Sequence, residues 1–425
     1  MKVLRLGSTG PSVQLLQLGL NRAGFGPLDM DGLFGLETKY ALIRFQTAHG
    51  LQADGIVGSA SHRSLLPWYT GYLIHRLERG QSLWTVAGIY GSSLQAIELA
   101  NPGLEPERLS PGLQLVVPLP FPVVPGNIQW CSALVGYCVR GLAARYPFIV
   151  TGEIGRSVMG RPLWSLSLGQ GDNRVLYNAC HHANEWITTP ILLRFAEELA
   201  SAFASGGEIM GSPAGEILSY ATICLIPAVN PDGMDLTSGE LQSGEHYAAA
   251  RKIAAAYPAF PFPQGWKANI RGVDLNLQYP AGWEQARENK LALGIKGPAP
   301  ADYVGRAPLT APESRAMYDF TLRFDPALTL SYHTQGQVIY WRFMDYEPEN
   351  GEKIGQVLAD VSGYSLENTP FASGFAGYKD WFIQKFLRPG YTIEAGLGQN
   401  PLPVSDFPSI YENNRGLLAM AALVT

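Results

Sequence analysis

The sequence predicts an α/β domain in the C-terminal part of the chain, preceded by smaller modules of which the first is helical. Three patterns carry that expectation. Ala179-Cys180-His181-His182-Ala183-Asn184-Glu185-Trp186 follows an apolar, strand-like run. A second run from Leu328 to His333 leads into small polar residues, as at the open end of a strand. Near the N-terminus, Asp31-Gly32-Leu33-Phe34-Gly35 and Asp54-Gly55-Ile56-Val57-Gly58 repeat one turn signal, each leading into a helical pattern.

The two strand ends share a chemistry. His182 stands three residues before Glu185, which reads as half of a zinc site. Zinc in hydrolases is commonly held by two imidazoles and one carboxylate, with a fourth position left to water, so a further histidine must arrive from elsewhere. His333 is the candidate. A histidine near an acid is by itself most often a plain hydrogen bond, and the absence of H-E-x-x-H here argues against a helical metalloprotease site.

Further segments recur in a family's order. Gly155 to Leu163, His182-Ala183-Asn184-Glu185-Trp186, Pro227 to Gly233, Gly272-Val273-Asp274-Leu275-Asn276, Ser331-Tyr332-His333 and Thr392-Ile393-Glu394-Ala395-Gly396 together resemble the zinc carboxypeptidases of the carboxypeptidase A type, from about Asn127 to the C-terminus. The resemblance implies an α/β zinc hydrolase on a mixed sheet flanked by helices, with one zinc held by His182, Glu185 and His333 and Glu394 as the catalytic glutamate.

Each residue has a chemical reason to be there. Zinc lowers the pKa of bound water, but a base must still take the proton and return it to the leaving amine, which suits Glu394. Read alone, Glu394 would be a strand-end glutamate paired with a lysine. A ligating imidazole donates its second N–H to a carboxylate, and Asp274 matches the family residue with that duty toward His182. For the developing oxyanion, Lys267 and Arg271 are both candidates. Arg271 is slightly preferred for its planar guanidinium, and either could instead be a solvated surface charge.

Departures from the family narrow the substrate. Where carboxypeptidases grip a free C-terminal carboxylate with an Asn-Arg pair, this chain has Asn276 followed by Leu277, and leucine forms no charge-assisted bond. The family's mobile tyrosine is not at its usual offset near Phe371-Ala372-Ser373-Gly374. Lys379 stands where digestive relatives carry their side-chain selector, which suggests either an anionic partner on the substrate or a lysine whose tip snorkels to water.

The N-terminal part splits in two. Val13, Leu16 and Leu20 form one helical stripe, Ala41, Leu42 and Phe45 another, and residues 1–68 resemble the small three-helix peptidoglycan-binding domain. Residues 70–118, from His75 to Ala87 through Ile97 to Pro102 and Leu109 to Pro118, resemble a βααβ LysM domain, a module that binds N-acetylglucosamine-containing glycans. Without that resemblance Trp84 reads as core. Pro120, Pro122 and Pro125 make 119–126 a stiff linker to a catalytic domain at 127–425.

Composition agrees with this plan. The chain has 425 residues and a formal charge of −5, with no long basic run, which leaves nucleic-acid binding unsupported. No apolar run reaches the length of a membrane span, and Met1 to Gly7 shows no signal-peptide h-region. If residues 128–145 are helical, Cys131 and Cys138 stand about 10 Å apart along the axis, too far for a disulfide. Buried free thiols are expected for all four cysteines.

Chains resembling this combination are γ-D-glutamyl-diaminopimelate endopeptidases, which cut the amide between the side-chain carboxyl of D-glutamate and the next diamino acid. The expected substrate is the peptidoglycan stem peptide, and the expected location is the cell wall, the spore or the outside of the cell. The alternatives are a zinc carboxypeptidase that releases single C-terminal residues, and a non-catalytic wall-binding protein, against which the full set of ligands and Glu394 argues.

Overall fold

The structure is a computed structural model and describes residues 2–424; Met1 and Thr425, at the outer ends of the first and last expected domains, lie outside the described residues. Two compact units are present, one of Met1–Gln129 with Gly136–Val150 and one of Trp130–Val135 with Thr151–Thr425.

The first unit begins with three helices, α1 (Pro11–Arg22), α2 (Leu36–Ala48) and α3 (Ser59–Thr70). Their stripes close a core of Val13, Leu16, Leu20, Ala41, Leu42, Phe45 and Leu65. Both repeated turns need a glycine, at φ 74° for Gly32 and 69° for Gly55, a left-handed conformation that costs a side-chain-bearing residue energy. A strand β1 (Tyr72–Arg76), helices α4 (Leu83–Tyr90) and α5 (Leu94–Ala100) and a strand β2 (Gln114–Pro118) follow, with β1 and β2 antiparallel. Ser82 caps α4 and Ser93 caps α5 through their side-chain oxygens. Leu83, Val86, Ile97, Leu115 and Val117 form the core of this module. Trp84 does not join it. One position beyond the buried Leu83 on α4, it lies 75% exposed, so a core reading of this tryptophan fails.

Residues 119–126 are not a free-standing linker. Leu119, Val123 and Val124 are buried, the Leu119 N–H donates to Gly71 O, and Arg145 donates to Gly71 O and Leu119 O. The apolar residues between the prolines hold this stretch in the first unit, which takes in residue 127 as well. Helix α6 (Ser132–Arg145) starts later than Ile128, because Asp235 accepts 2.7 Å hydrogen bonds from both N and Oγ of Ser132. Cys131 therefore precedes the helix, and all four cysteines are buried free thiols.

The second unit is built on an eight-stranded mixed sheet. Its strands are β3 (Val150–Arg156), β4 (Pro162–Leu168), β5 (Asn173–Ala179), β8 (Ala221–Ile226), β9 (Leu328–His333), β10 (Val338–Tyr340), β11 (Ser365–Glu367) and β12 (Gly390–Glu394), while β6 (Glu208–Ile209) and β7 (Ser212–Pro213) pair apart from it. The order is β11-β10-β12-β9-β5-β8-β4-β3. The central four, β8, β5, β9 and β12, are parallel, and β4 and β10 pair antiparallel at either side. Helices occupy the connections: α7 (Thr188–Ser205), α8 (Ala214–Tyr220), α9 (Pro231–Thr237), α10 (Glu245–Ala254), α11 (Trp283–Ala292), α12 (Pro312–Phe324), α13 (Gly351–Ser362), α14 (Tyr378–Phe386) and α15 (Phe407–Ala421). Leu176, Tyr177, Leu225, Ile226, Leu330 and Ile393 are fully buried, as expected of strands that a parallel sheet covers on both faces.

That topology decides where chemistry collects. In open α/β sheets, ligands sit outside the carboxyl ends of the parallel strands. Here β5 ends four residues before Ala183, β9 ends at His333 and β12 ends at Glu394, with Glu394 opposite His333 in register. The β3–β4 hairpin is anchored by Asp232, whose carboxylate accepts from Ser157 Oγ and the Met159 N–H at 2.8 Å and pairs with Arg161 at 2.5 Å.

Candidate metal centre

Three donor groups meet at this edge. Glu185 Oε1 lies 3.0 Å from His182 Nδ1, Glu185 Oε2 lies 2.9 Å from His333 Nδ1, and the two Nδ1 atoms are 3.2 Å apart. They form the set of His182, Glu185 and His333 with all ligand atoms within 4.8 Å of one another. Bonds of 2.0–2.1 Å in a tetrahedron put ligand atoms about 3.3 Å apart, so the spacing fits a zinc ion. Two imidazole nitrogens facing each other across 3.2 Å also suit a shared cation better than they suit one another. A short 3-10 turn, Ala183–Glu185, brings Glu185 back toward the strand end, and Thr188 Oγ1 fixes that turn by donating to Glu185 O at 2.7 Å.

The surrounding charges follow. His182 Nε2 lies 3.2 Å from Asp274 Oδ1, and Asp274 Oδ2 accepts from the Asp302 N–H at 3.1 Å. An imidazole held this way presents Nδ1 as the ligand nitrogen and keeps its proton on Nε2. Burial alone would lower the His182 pKa, but the Glu185 and Asp274 carboxylates outweigh it and raise it to about 10. Burial likewise works against the charged form of Glu185, yet His182 and Lys267 hold its carboxyl well below the usual range. His182 and Lys267 thus balance Glu185 and Asp274 in charge, and a bound zinc would take the place of the proton on His182.

The two oxyanion candidates separate. Lys267 lines the cavity at the site, and its ammonium lies 3.3 Å from Glu185 Oε1, the carboxylate that raises its pKa. Arg271 is exposed and does not line that cavity. The preference for Arg271 is corrected by the turn it occupies: Asn269 Oδ1 accepts from the N–H groups of Arg271 and Val273, and Gly272 at φ 75° closes the turn with Arg271 at its tip.

The cavity measures about 460 Å³. Glu394 lines it, and burial pushes its carboxyl above the ordinary value while charge on His333 pulls the other way. Asn276 lies there too, its Oδ1 accepting from the Tyr378 N–H at 2.9 Å and its Nδ2 3.4 Å from His333 Nε2. Leu277 beside it also lines the wall. Lys379 also lines the cavity, buried rather than solvated. Its buried ammonium donates to Arg342 O at 2.7 Å and to Thr369 Oγ1 at 2.8 Å, and it lies 2.7 Å from Asp380 Oδ1 as an ion pair. Within the chain, the anion beside it is Asp380, the next residue.

Several residues here escaped sequence reasoning. Asn400 donates to Thr334 O at 2.9 Å and reaches Glu185 Oε1 at 3.4 Å from a distant loop. Lys290 and Asp302 line the cavity as a 2.6 Å pair, and Tyr340 lines it from β10. Only Tyr340 left a signal: paired opposite Thr392, it shares the sheet face of Glu394 by strand alternation.

Residues 137–415 match the family described as zinc carboxypeptidase, residues 9–65 the putative peptidoglycan binding domain and residues 75–118 the LysM domain. The chain belongs to the zinc carboxypeptidase family and is a zinc metallopeptidase using one zinc ion. Among its relatives, gamma-D-glutamyl-L-diamino acid endopeptidase 1 of Lysinibacillus sphaericus is 41% identical over 299 residues, which cover 70% of this chain and 74% of that protein. The uncharacterized protein YqgT of Bacillus subtilis (strain 168) is 38% identical over 276 residues, or 64% of this chain and 72% of the other. In fold, the chain is similar to bovine thrombin-activatable fibrinolysis inhibitor, solved in complex with tick carboxypeptidase inhibitor. The TM-score is 0.55 at 18% identity, over 70% of this chain and 97% of that one. No helix among the described residues is long and apolar enough to cross a membrane.

Proposed function

We propose that this chain is a cell-wall endopeptidase that hydrolyses the γ-D-glutamyl to diamino acid amide of peptidoglycan stem peptides, acting at the wall where its N-terminal modules bind. One observation carries the reading. Leu277 occupies the cavity wall beside Asn276, and no arginine is among the residues lining that cavity. The cations that do line it are matched from within the chain: Lys267 by Glu185, Lys290 by Asp302 and Lys379 by Asp380. A free C-terminal carboxylate finds no charge-assisted clamp there, whereas an internal amide needs none. The relative of that name and the two wall-binding modules support the same substrate.

In this reading His182, Glu185 and His333 hold the zinc. When bound, it polarises the scissile carbonyl and acidifies water. Glu394 takes the proton of the attacking water, and its burial favours keeping it. As the C–N bond breaks, Glu394 returns that proton to the amine of the diamino acid. Lys267 faces the developing oxyanion from the cavity wall. Asp274 holds His182 in the tautomer that leaves Nδ1 free to ligate.

The test uses the tetrapeptide L-Ala-γ-D-Glu-diaminopimelate-D-Ala, with products separated by mass. Endopeptidase action releases the diaminopimelate-D-Ala dipeptide. Release of D-Ala alone, with the γ-D-glutamyl bond intact, replaces this reading with the carboxypeptidase one. Leu277→Arg should raise kcat/KM for substrates ending at the residue after the scissile bond by about tenfold or more, the size of a well-placed charged hydrogen bond.

A further inference from the structure

The loops that leave β9 and β12 at the zinc edge are laced together. The Ala395 N–H donates to His333 O at 2.8 Å, the Gln337 N–H to Glu394 O at 2.7 Å and the Gly336 N–H to Gly396 O at 2.8 Å. A further tie is made by side chains. Thr334 Oγ1 donates to Asn400 Oδ1 at 2.7 Å, and Asn400 Nδ2 donates to Thr334 O at 2.9 Å, so both ends of one amide are spent on the residue that follows His333. The same Nδ2 reaches Glu185 Oε1 at 3.4 Å. An amide nitrogen has two protons, which serve these two acceptors. With the amide turned over, Oδ1 would face a carbonyl and a carboxylate and bond to neither, so the partners fix which way Asn400 points.

We infer that Asn400 is a positioning residue for the metal ligand Glu185: its Nδ2 holds Oε1 in place, and its clamp on Thr334 keeps that carboxylate in step with His333. The inference rests on the metal centre of His182, Glu185 and His333 and holds whichever amide the enzyme cuts. Glu185 is 1% exposed, and a carboxylate so far from water needs a partner for each oxygen. Besides the two histidines, Oε2 has the Thr334 N–H at 3.4 Å, and Oε1 has Lys267 at 3.3 Å and Asn400.

The two partners of Oε1 differ in kind. Lys267 lines the catalytic cavity and serves the developing oxyanion, so the reaction itself draws on it. Asn400 is not among the described residues that line that cavity and has no such second duty. As a neutral amide it orients the carboxylate without cancelling the charge that a metal binds. A contact of 3.4 Å is long for a hydrogen bond, so its worth depends on aim, and the Thr334 hydroxyl sets that aim. Asn400 also stands on the loop that opens at Glu394, and Leu402, 1% exposed, anchors that loop just beyond it. One piece of backbone thus carries both the base and a hold on the metal ligand.

The experiment uses the full chain and three measurements. Competition with a chelator gives the zinc dissociation constant, visible absorption of the cobalt(II)-substituted protein reports the geometry of the ligand set, and melting of the zinc-free protein reports the fold. Asn400→Ala should weaken zinc binding by about ten- to hundredfold, the range for removing an outer partner of a metal ligand, and should change the cobalt absorption. Thr334→Val drops the hydroxyl and should weaken zinc in the same direction and by less, whereas Thr334→Ser keeps the hydroxyl and should bind zinc as the parent does. Added to Asn400→Ala, Thr334→Val should cost nothing further, because the hydroxyl acts through the amide. Parental zinc affinity and cobalt absorption in Asn400→Ala overturn the assignment. So does a weaker affinity joined to an unchanged cobalt spectrum and a zinc-free protein that melts well below the parent, which marks a role in the fold alone. Equal losses in Thr334→Ser and Thr334→Val overturn the clamp. A Glu185→Gln protein that keeps its full zinc removes the metal centre and the inference with it, while a zinc-depleted Glu185→Gln beside a parental Asn400→Ala removes the inference alone.

Discussion

The helical N-terminal module and the zinc edge of the catalytic domain both bury polar side chains, and they do so to opposite ends. In the module, Gln17 and Gln46 are each 2% exposed or less, neutral, and matched on both sides of their amides. Gln17 Nε2 donates to Asp31 Oδ1 and Leu33 O, and its Oε1 accepts from the Gly32 N–H; Gln46 does the same with Asp54, Ile56 and Gly55. At the zinc edge, His182, Glu185, Asp274 and Lys267 are charged, and the donor atoms of both histidines crowd one carboxylate. A neutral network whose bonds are all made serves to fix a fold. A charged one whose atoms point at a common centre is unfinished without a cation.

The largest expected effect tests that second half. Glu394→Gln should lower kcat by about 10²–10⁴-fold, the range for removing a general acid–base group, while zinc content stays at one per chain. His333→Ala should instead lose the metal itself, read by elemental analysis of the purified protein. Full zinc occupancy in His333→Ala would remove that residue from the site, and near-normal turnover in Glu394→Gln would do the same for the proposed base.

Legibility divides along the same line. Residues that the family resemblance carries could be read: His182, Glu185 and His333, which the structure brings together, the Asp274 that faces His182, and Glu394 at the close of β12. The mixed sheet came with the same resemblance, and its parallel strands end at the edge where these residues gather. Residues whose meaning depends on a neighbour far along the chain could not be read. Nothing local tells that Lys379 spends its protons on Arg342 and Thr369, that Asn400 reaches Glu185, or that the Gly272 turn throws Arg271 outward. The prolines of 119–126 suggested stiffness, but burial of Leu119, Val123 and Val124 was invisible. In the module, the turn repeat was visible while the glutamines were missed, although Thr38 and Ser61 stand seven residues after Asp31 and Asp54 and accept from the same amides.

Glu313 lies between the two extremes and sharpens the comparison. It is a buried carboxylate that accepts from the Val158 N–H at 3.0 Å and Asn269 Nδ2 at 3.2 Å, and burial raises its pKa to about 7. Its folded value exceeds its unfolded one, so the folded chain keeps a proton that the unfolded chain has lost. Stability from this group is greatest at acid pH and falls as pH rises from about 4.5 to 7, by roughly 3 kcal/mol in all. Glu313→Gln should flatten that slope. Urea unfolding at several pH values in this window checks it, and a constant difference between variant and parent refutes the raised pKa.

The smallest effect lies in the module and asks whether its two clamps are equivalent. Gln17→Leu keeps the volume and strands the Gly32 N–H together with the hydroxyl and carbonyl acceptors around it, and Gln46→Leu does this to Gly55 and its neighbours. A buried group left without its partner costs about 1–3 kcal/mol, and the contact sets match atom for atom, so the two losses should agree within about 0.5 kcal/mol. Calorimetry of the module's unfolding transition measures each loss, and hydrolysis of a soluble stem peptide, whose chemistry uses neither glutamine, should stay within twofold of the parent. A loss at one clamp and none at the other would show that the repeat is one of sequence rather than of energy. The turn at the silent site would then be held by Gly32 or Gly55 and its backbone alone.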